Sequence, residues 1–146
     1  LQARLVAGNG VALVWAPEGP GWPRAGANWN QAQQACQNLN EDGLTSAPVP
    51  KDIWRLPTVD EAIRSMARHG QNSAGIWDAE AAQAAYNTTP EKVSPLWIFH
   101  SQVIYWWTET EIDEEKAYII VYDGKVWPRS KGFGPAYLGW RCVKQS

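Results

Sequence analysis

Two cysteines, Cys36 and Cys142, are the residues with the clearest chemical potential in this sequence. Almost the whole chain separates them, and the sequence leaves three alternatives open: free buried thiols, a long-range disulfide or a redox couple. There is no Cys-x-x-Cys spacing, and two histidines, His69 and His100, are too few for a typical Cys/His zinc cage. If the cysteines are bridged, the chain-entropy model gives a stabilisation of roughly 4–5 kcal/mol, and the bridge indicates an exported, oxidising location.

Oxygen ligands for a metal ion are concentrated in the acidic run ETEIDEE, residues 109–115. Carboxylates in a loop can hold Ca²⁺, and the candidates are Glu109, Glu111 and Asp113. Their spacing is not that of an EF-hand, so we predict a solvated loop without metal or cofactor, with Ca²⁺ as the alternative. His69 is predicted to cap the C-terminal end of a helix rather than to bind a metal.

Aromatic and basic side chains that could bind a ligand lie together in VWPRSKGFGPAY, residues 126–137. The candidates there are Trp127, Arg129, Lys131, Phe133 and Tyr137. Aromatic and arginine side chains are over-represented at binding hot spots. The alternative is that Trp127 and Phe133 only cover the edge of a sheet. The chain has ten tryptophans, most of which we expect in the core, and Trp22 and Trp97 are secondary candidates in Pro-flanked loops.

The bulk composition is that of one globular domain spanning residues 1–146. Hydrophobic residues make up 45% of the chain and charged residues 19%, which excludes a disordered chain. The net charge of −2, with scattered basic residues, gives no electrostatic footprint for nucleic acid. No apolar run reaches the roughly 18 residues of a spanning helix. The opening LQARLVAGNG has no signal-peptide features, and we expect a mature or trimmed product.

Two amphipathic helices are predicted to position these residues. The first follows an N-cap at Asn28 and ends before Gly43. Its apolar stripe consists of Trp29, Ala32, Cys36 and Leu39. The second begins at the capping box formed by Thr58 and Glu61 and closes at Gly70. Its inward stripe consists of Val59, Ala62, Ile63 and Met66. A third, short helix is predicted over residues 78–86.

Strands are predicted at both ends of the chain, with hairpin turns at Asn9-Gly10 and at the two-residue loop Asp123-Gly124. In the last strand Leu138, Trp140 and Cys142 alternate onto one face, which turns Cys142 towards the helix that carries Cys36. If the cysteines meet, the first and last strands are adjacent. The order of elements predicts an α+β architecture with the helices on one side of an antiparallel sheet.

Five blocks of the sequence carry a family resemblance. They are WNQAQQACQNL (29–39), WRLPTVDEA (54–62), YWWTETE (105–111), AYIIVYDG (117–124) and WRCVK (140–144). Together, in this order and with a cysteine near each end, they resemble the Lcl C-terminal domain family of bacteria. The resemblance implies a C-type lectin-like fold, with two main helices packed on a twisted antiparallel sheet and adjacent terminal strands. It also implies a Cys36–Cys142 disulfide.

The same resemblance assigns a structural role to the motif WRLP. Trp54 and Leu56 are expected to pack under the sheet, and Arg55 to brace the loop ahead of Pro57. Thr58 and Glu61 then cap the helix that follows. The motif therefore indicates a scaffold and does not indicate a ligand.

Enzymatic chemistry is not expected from this resemblance. The fold includes formylglycine-generating enzymes, which bind copper through two thiols placed close together late in the chain. Here the two thiols are far apart in sequence and committed to the implied bridge. Calcium-dependent lectins use Glu-Pro-Asn or Gln-Pro-Asp and Trp-Asn-Asp triplets, and the sequence contains none of them.

The function predicted is therefore a non-catalytic, extracytoplasmic module that binds a protein or a glycan. In this fold ligands meet the late loops and strands, here residues 106–137, which adds Trp107 to the candidates above. The alternative is a structural accessory subunit of a larger envelope or membrane-associated assembly, with tryptophan-rich patches buried against a partner. An enzyme of the formylglycine-generating type is the third possibility.

Overall fold

A computed structural model of the chain describes residues 3–17, 26–91 and 102–146. The described residues form eleven β-strands and two α-helices. The strands are β1 (Arg4–Gly8), β2 (Val11–Trp15), β3 (Ala67–Arg68), β4 (Gln71–Asn72), β5 (Ile76–Asp78), β6 (Gln83–Ala85), β7 (Tyr105–Glu111), β8 (Lys116–Val121), β9 (Val126–Ser130), β10 (Leu138–Gly139) and β11 (Val143–Gln145). The helices are α1 (Trp29–Gln37) and α2 (Val59–Ser65).

The strands of the described residues form four separate sheets. Three strands pair in the order β1-β2-β11, four pair in the order β10-β7-β8-β9, and β3-β4 and β5-β6 are isolated hairpins. Pairing is antiparallel except between β10 and β7, which run parallel. The first sheet joins the two ends of the chain, because Val143 of β11 lies opposite Trp15 of β2.

The core lies on both faces of the four-stranded sheet. Neighbouring residues of a strand point to opposite faces, and here both faces are covered. Trp107 and Ile119 are buried in a cluster that includes Ala32 and Cys36 of α1. Trp106 and Ile120, one residue along their strands, belong to a second cluster. That cluster includes Val59, Ala62 and Ile63 of α2.

The prediction of a C-type lectin-like α+β fold, with two main helices on one side of an antiparallel sheet, is wrong. Strand residues make up 37% of the described chain and helical residues 13%. The helices are only nine and seven residues long. They pack on opposite faces of the larger sheet, which also contains a parallel pair. The architecture is a mostly β arrangement of several small sheets.

The predicted N-cap at Asn28 and the predicted capping box of Thr58 and Glu61 are both present, and Gln31 completes a capping box at α1 as well. The Asn28 side chain accepts from the Gln31 amide and the Gln31 side chain accepts from the Asn28 amide. Thr58 and Glu61 make the same reciprocal pair at α2. These bonds satisfy amides that the first helical turn leaves without partners.

The helix ends differ from the prediction. The second helix stops at Ser65, five residues before Gly70, because the chain turns into the β3–β4 hairpin. His69 and Gly70 form that turn with φ values of 51° and 75°. The predicted role of His69 as a helix C-cap is therefore wrong.

The predicted helix over residues 78–86 is also wrong, since β5 and β6 form a hairpin there. The Asp78 carboxylate accepts from the amides of Glu80 and Ala81, which bends the chain back after one turn. Ala82 completes the turn with a φ of 52°. Alanine-rich composition favours a helix only weakly, and the side-chain bonds of Asp78 together with tertiary packing override it here.

Both predicted hairpin turns are found. Asn9 and Gly10 have φ values of 51° and 83° between the paired residues Gly8 and Val11, which is the two-residue turn expected. The second turn is one residue longer than predicted. There, Gly124 donates to the Val121 carbonyl and has a φ of 88°, as in a three-residue loop.

The predicted Cys36–Cys142 disulfide is confirmed, with both side chains fully buried. Cys36 comes from α1. Cys142 lies between β10 and β11, so the predicted continuous last strand is divided at this point. The division occurs because β10 pairs with β7 while β11 pairs with β2. The bond therefore fixes a helix to the crossing between the two larger sheets.

The motif WRLP joins three parts of the molecule. Trp54 and Leu56 are buried, and the Trp54 indole donates to the Asn40 carbonyl. The backbone of Arg55 exchanges two hydrogen bonds with Val143, next to the disulfide. The Arg55 guanidinium makes two short bonds, of 2.6 and 2.7 Å, to the Glu61 carboxylate.

No helix in the described part of the chain has the length and apolar character needed to cross a bilayer.

Candidate functional site

A group of aromatic side chains, two of them exposed and one half-buried, lies around the edge strand β9. The rings of Tyr105 and Trp127 are 6.0 Å apart, and those of Tyr105 and Tyr137 are 5.3 Å apart in an edge-to-face arrangement. We call Tyr105, Trp127 and Tyr137 the aromatic patch. The guanidinium of Arg129 lies 5.1 Å from the centre of the Trp127 ring. The patch therefore combines three rings with one cation.

Strand pairing brings these residues together from distant parts of the sequence. Tyr105 begins β7, and Trp127 lies on β9, two strands away in the same sheet. Tyr137 precedes β10, which pairs with the other side of β7. The Tyr137 carbonyl accepts from the amides of Ile104 and Tyr105, which holds its backbone beside the start of β7. Trp127 is 37% exposed, the greatest exposure among the described tryptophans.

A cleft of about 350 Å³ adjoins Trp127. It lies between the β5–β6 hairpin and the turn that joins β8 to β9, and we call it the hairpin cleft. Its polar and aromatic lining consists of Gln83, Tyr86, Thr89, Asp123, Lys125 and Trp127. Its volume is within the range of about 300–1,000 Å³ that is typical of small-molecule sites. Trp127 thus borders the cleft, while its ring belongs to the aromatic patch.

A contact between Tyr86 and Gly124 fixes the floor of the cleft. The Tyr86 hydroxyl donates to the Gly124 carbonyl at 2.6 Å. Burial, with a smaller contribution from the charge of Asp123, raises the pKa of the Tyr86 phenol, so this donor keeps its proton. A Cβ atom at Gly124 would come within 2.6 Å of the Tyr86 ring. Only glycine therefore allows the turn to pack this closely on the hairpin.

Substitution of Gly124 by alanine tests this contact. Gly124→Ala is expected to lower the free energy of unfolding by about 2 kcal/mol, since it adds a steric clash to the cost of a positive φ. Gly70→Ala is the matched control, because Gly70 also has a positive φ but has no atom within 4 Å of the added Cβ. The control is expected to lose only about 1 kcal/mol. Equal losses in urea denaturation would show that Tyr86 does not constrain the turn.

The charges in the cleft compensate each other. The Lys125 ammonium is 3.7 Å from the Asp123 carboxylate, and the Lys125 amide donates to the same side chain at 3.2 Å. About a quarter of the Asp123 side chain is exposed, against two thirds of the Lys125 side chain. Both groups therefore reach the solvent of the cleft while their net charge is zero.

Two of the predicted binding residues lie elsewhere. Trp107 is fully buried between the sheet and α1, and its indole donates to the Ala27 carbonyl at 2.8 Å. It belongs to the core and has no surface that a ligand could contact. The Lys131 ammonium is bonded to Glu111 at 2.6 Å and lies 4.5 Å from the centre of the Trp29 ring. Only 12% of its side chain is exposed.

The remaining predicted binding residues are at the surface. Trp127, Arg129 and Tyr137 come together around the patch, and Phe133 lies 41% exposed in the loop after β9. Trp22 and Trp97 lie outside the described residues. The surface predicted from residues 106–137 is therefore reduced to the part near β9.

The acidic side chains proposed for Ca²⁺ point to different partners. Glu109 lies 3.8 Å from Arg55, and Glu111 is bonded to Lys131. The Asp113 carboxylate accepts from two backbone amides of its own turn, and these bonds lower its pKa. Within residues 3–17, 26–91 and 102–146, no group of three or more acidic, histidine or cysteine side chains could hold a metal ion.

Six residues of the patch and the cleft are not among the predicted binding residues: Gln83, Tyr86, Thr89, Tyr105, Asp123 and Lys125. The sequence predicts Tyr86 in a helix and Asp123 in a hairpin turn, and neither position indicates a binding site. Tyr105 lies two residues before Trp107 in β7, and side chains two residues apart in a strand point to the same face of the sheet. That spacing was the one signal in the sequence that could have added it.

No protein-family model matches this chain, and a search against curated proteins gives no match. The resemblance of the five sequence blocks to the Lcl C-terminal domain family therefore stays a prediction.

Proposed function

We propose that this chain is a non-catalytic, extracytoplasmic binding module and that its protein or glycan ligand contacts the aromatic patch. The observation that carries the proposal is the exposure of Trp127 beside Tyr105, Tyr137 and the Arg129 guanidinium. Aromatic and arginine side chains are the residues that most often dominate binding energy.

The geometry of the patch supports this role. Trp127 and Tyr137 are each about two-fifths exposed, so a ligand could still cover apolar ring surface. Contacts with Tyr105 hold both rings in place before a ligand arrives. Side chains that are already ordered lose little conformational entropy on binding, which favours affinity.

The disulfide supports the extracytoplasmic location and the non-catalytic role in this proposal. Structural disulfides form and persist in oxidising compartments, which favours an extracytoplasmic location. Cys36 and Cys142 are the only cysteines in the sequence, and both are in the bond. No thiol remains for a copper site of the formylglycine-generating type, which supports a non-catalytic role.

The double variant Trp127→Ala/Tyr137→Ala tests the patch. We expect binding to the best ligand from a glycan array or a panel of surface proteins to weaken at least about thirtyfold, because two hot-spot rings are removed. The melting temperature should stay within a few degrees of the parent, since both rings are partly exposed. Leu44→Ala is the matched control, as Leu44 is 42% exposed and lies outside the patch. Undiminished binding by the double variant would contradict the proposal.

The alternative is a structural accessory subunit of an envelope or membrane-associated assembly. The observation that favours it is β1, an edge strand that exposes 60% of Leu5. An exposed edge strand can pair with another chain. A monodisperse monomer that still binds a ligand through the patch would count against this alternative.

A further inference from the structure

We propose that the hairpin cleft binds one uncharged sugar unit without a metal ion, with Asp123 and Lys125 bonded to its hydroxyls. The inference rests on the proposed binding function and names a ligand class for the site beside the patch. It is carried by the shape, the charge balance and the donor pattern of the cleft.

The donor pattern fits a polyol. Each sugar hydroxyl both donates and accepts a hydrogen bond, so neighbouring hydroxyls need neighbouring acceptors and donors. The cleft supplies an acceptor at the Asp123 carboxylate and a donor at the Lys125 ammonium, 3.7 Å apart. Gln83 and Thr89 add side chains of both kinds on the opposite wall.

The charge balance argues against ionic ligands. Asp123 and Lys125 neutralise each other within the cleft, so neither a phosphate nor an ammonium group gains a net attraction there. An uncharged ligand can bond to both groups at once. It also leaves their mutual attraction in place, which a charged ligand would disturb.

The edge of the sheet argues against a peptide that adds a strand to β9. Backbone hydrogen bonds join Lys125 to Val121 and Lys131 to Glu115. In this register, residues of odd number along β9 direct their backbone N–H and C=O groups towards β8. Pro128 has the opposite parity, and its nitrogen therefore faces the free edge. Proline has no N–H, which interrupts the ladder that an added strand would need.

The cleft is preformed, which matters for a ligand with few apolar atoms. The bond from Tyr86 to Gly124 and the lack of space for a Cβ at Gly124 fix the distance between the two walls. Ala82, at the rim, is held at a φ of 52°, a conformation that costs alanine about 1 kcal/mol. Strained residues of this kind are found at ligand sites more often than elsewhere.

The test is an NMR titration of the whole chain with the methyl glycosides of glucose, galactose, mannose and N-acetylglucosamine. Concentrations up to about 50 mM cover the millimolar affinity expected of a single sugar unit. We expect at least one glycoside to shift the amides of residues 83–86 and 123–127 in a saturable way. The chelator EDTA should leave the shifts unchanged.

Variants make the test specific. Asp123→Asn keeps the acceptor for the Lys125 amide and removes the charge, so we expect about tenfold weaker binding and an otherwise unchanged spectrum. Leu44→Ala should bind as the parent does. Tenfold tighter binding of glucuronate than of the glucoside would overturn the assignment to an uncharged ligand.

The remaining outcomes separate this inference from the proposed function. If no glycoside binds, but Trp127→Ala/Tyr137→Ala still loses the ligand found by screening, the cleft assignment is wrong and the proposed function stands. If a glycoside shifts Tyr105 and Tyr137 without the amides of residues 83–86, the sugar lies on the patch and the cleft assignment is again wrong. If neither site binds anything, both proposals fail together.

Discussion

Reduction of the Cys36–Cys142 disulfide is expected to lower the free energy of unfolding by about 5 kcal/mol. The bond closes a segment with a sequence separation of 106, and a cross-link over such a length removes much of the conformational freedom of the unfolded chain. A loss of this size corresponds to a fall in melting temperature on the order of 15 °C for a domain of this length. Because both sulfur atoms are buried, reduction requires at least partial opening of the structure.

The measurement is urea denaturation with and without a phosphine reductant, followed by tryptophan fluorescence. The double variant Cys36→Ala/Cys142→Ala is the control, since it lacks the bond under both conditions. Its midpoint should be low and should not respond to the reductant. A parent protein whose midpoint is the same in both conditions would show that the bond does not stabilise the fold. The test is independent of any ligand.

Local features of the fold could be predicted because neighbouring residues determine them. Asn9 and Gly10 adopt positive φ values readily, and the turn follows from that preference. The capping box of Thr58 and Glu61 requires only a hydroxyl and a carboxylate three residues apart. These features depend on short segments, so the rest of the chain did not have to be known.

The arrangement of the helices could not be predicted in the same way. Amphipathic stripes show that α1 and α2 each bury one face, but they do not show which face of the sheet each helix covers. The region of Ala82 shows a second difficulty. Five alanines between residues 79 and 85 favour a helix, yet the Asp78 side chain and the contact of Tyr86 with the β8–β9 turn select a hairpin.

Only part of the candidate site could be predicted from the sequence, and the reason is again the arrangement of distant segments. Trp106 and Trp107 are adjacent on β7 and both are buried, because helices cover both faces of the sheet at that point. Alternation along such a strand gives no exposed side. Trp127 is exposed because β9 is the edge strand, and strand order is set by pairing between distant segments. Composition therefore indicated the aromatic surface and could not separate Trp107 from Trp127.

Glu61→Ala is expected to lower the free energy of unfolding by about 3 kcal/mol at neutral pH. The carboxylate accepts from both terminal nitrogens of Arg55 and from the Thr58 amide, so one substitution removes an ion pair and half of the capping box. Breaking a fully buried ion pair costs roughly 3–5 kcal/mol, and the exposure of about a third of the Arg55 side chain reduces that cost. Glu61→Gln should lose about half as much, since glutamine still supports a capping box.

The pH dependence of this loss follows from the pKa of Glu61. Burial alone would raise that pKa, but the bonds from Arg55 and Thr58 and the charge of Arg55 outweigh burial and lower it. The unfolded chain therefore binds a proton more readily than the folded protein does. The stabilisation by Glu61 is complete above the unfolded pKa of about 4.3 and is lost as the pH falls through the folded value. The difference between the parent and Glu61→Gln should shrink in the same range.

Glu109→Gln is the matched variant, because Glu109 faces the same guanidinium at 3.8 Å with a pKa shifted the other way. Burial raises the pKa of Glu109, and the repulsion from Glu61 adds to this against the attraction of Arg55. Ionisation of Glu109 is thus unfavourable in the folded protein, and stability falls as the pH rises through its titration range. Glu109→Gln should therefore be neutral or stabilising at pH 7. A large destabilisation would show that Arg55 depends on both carboxylates.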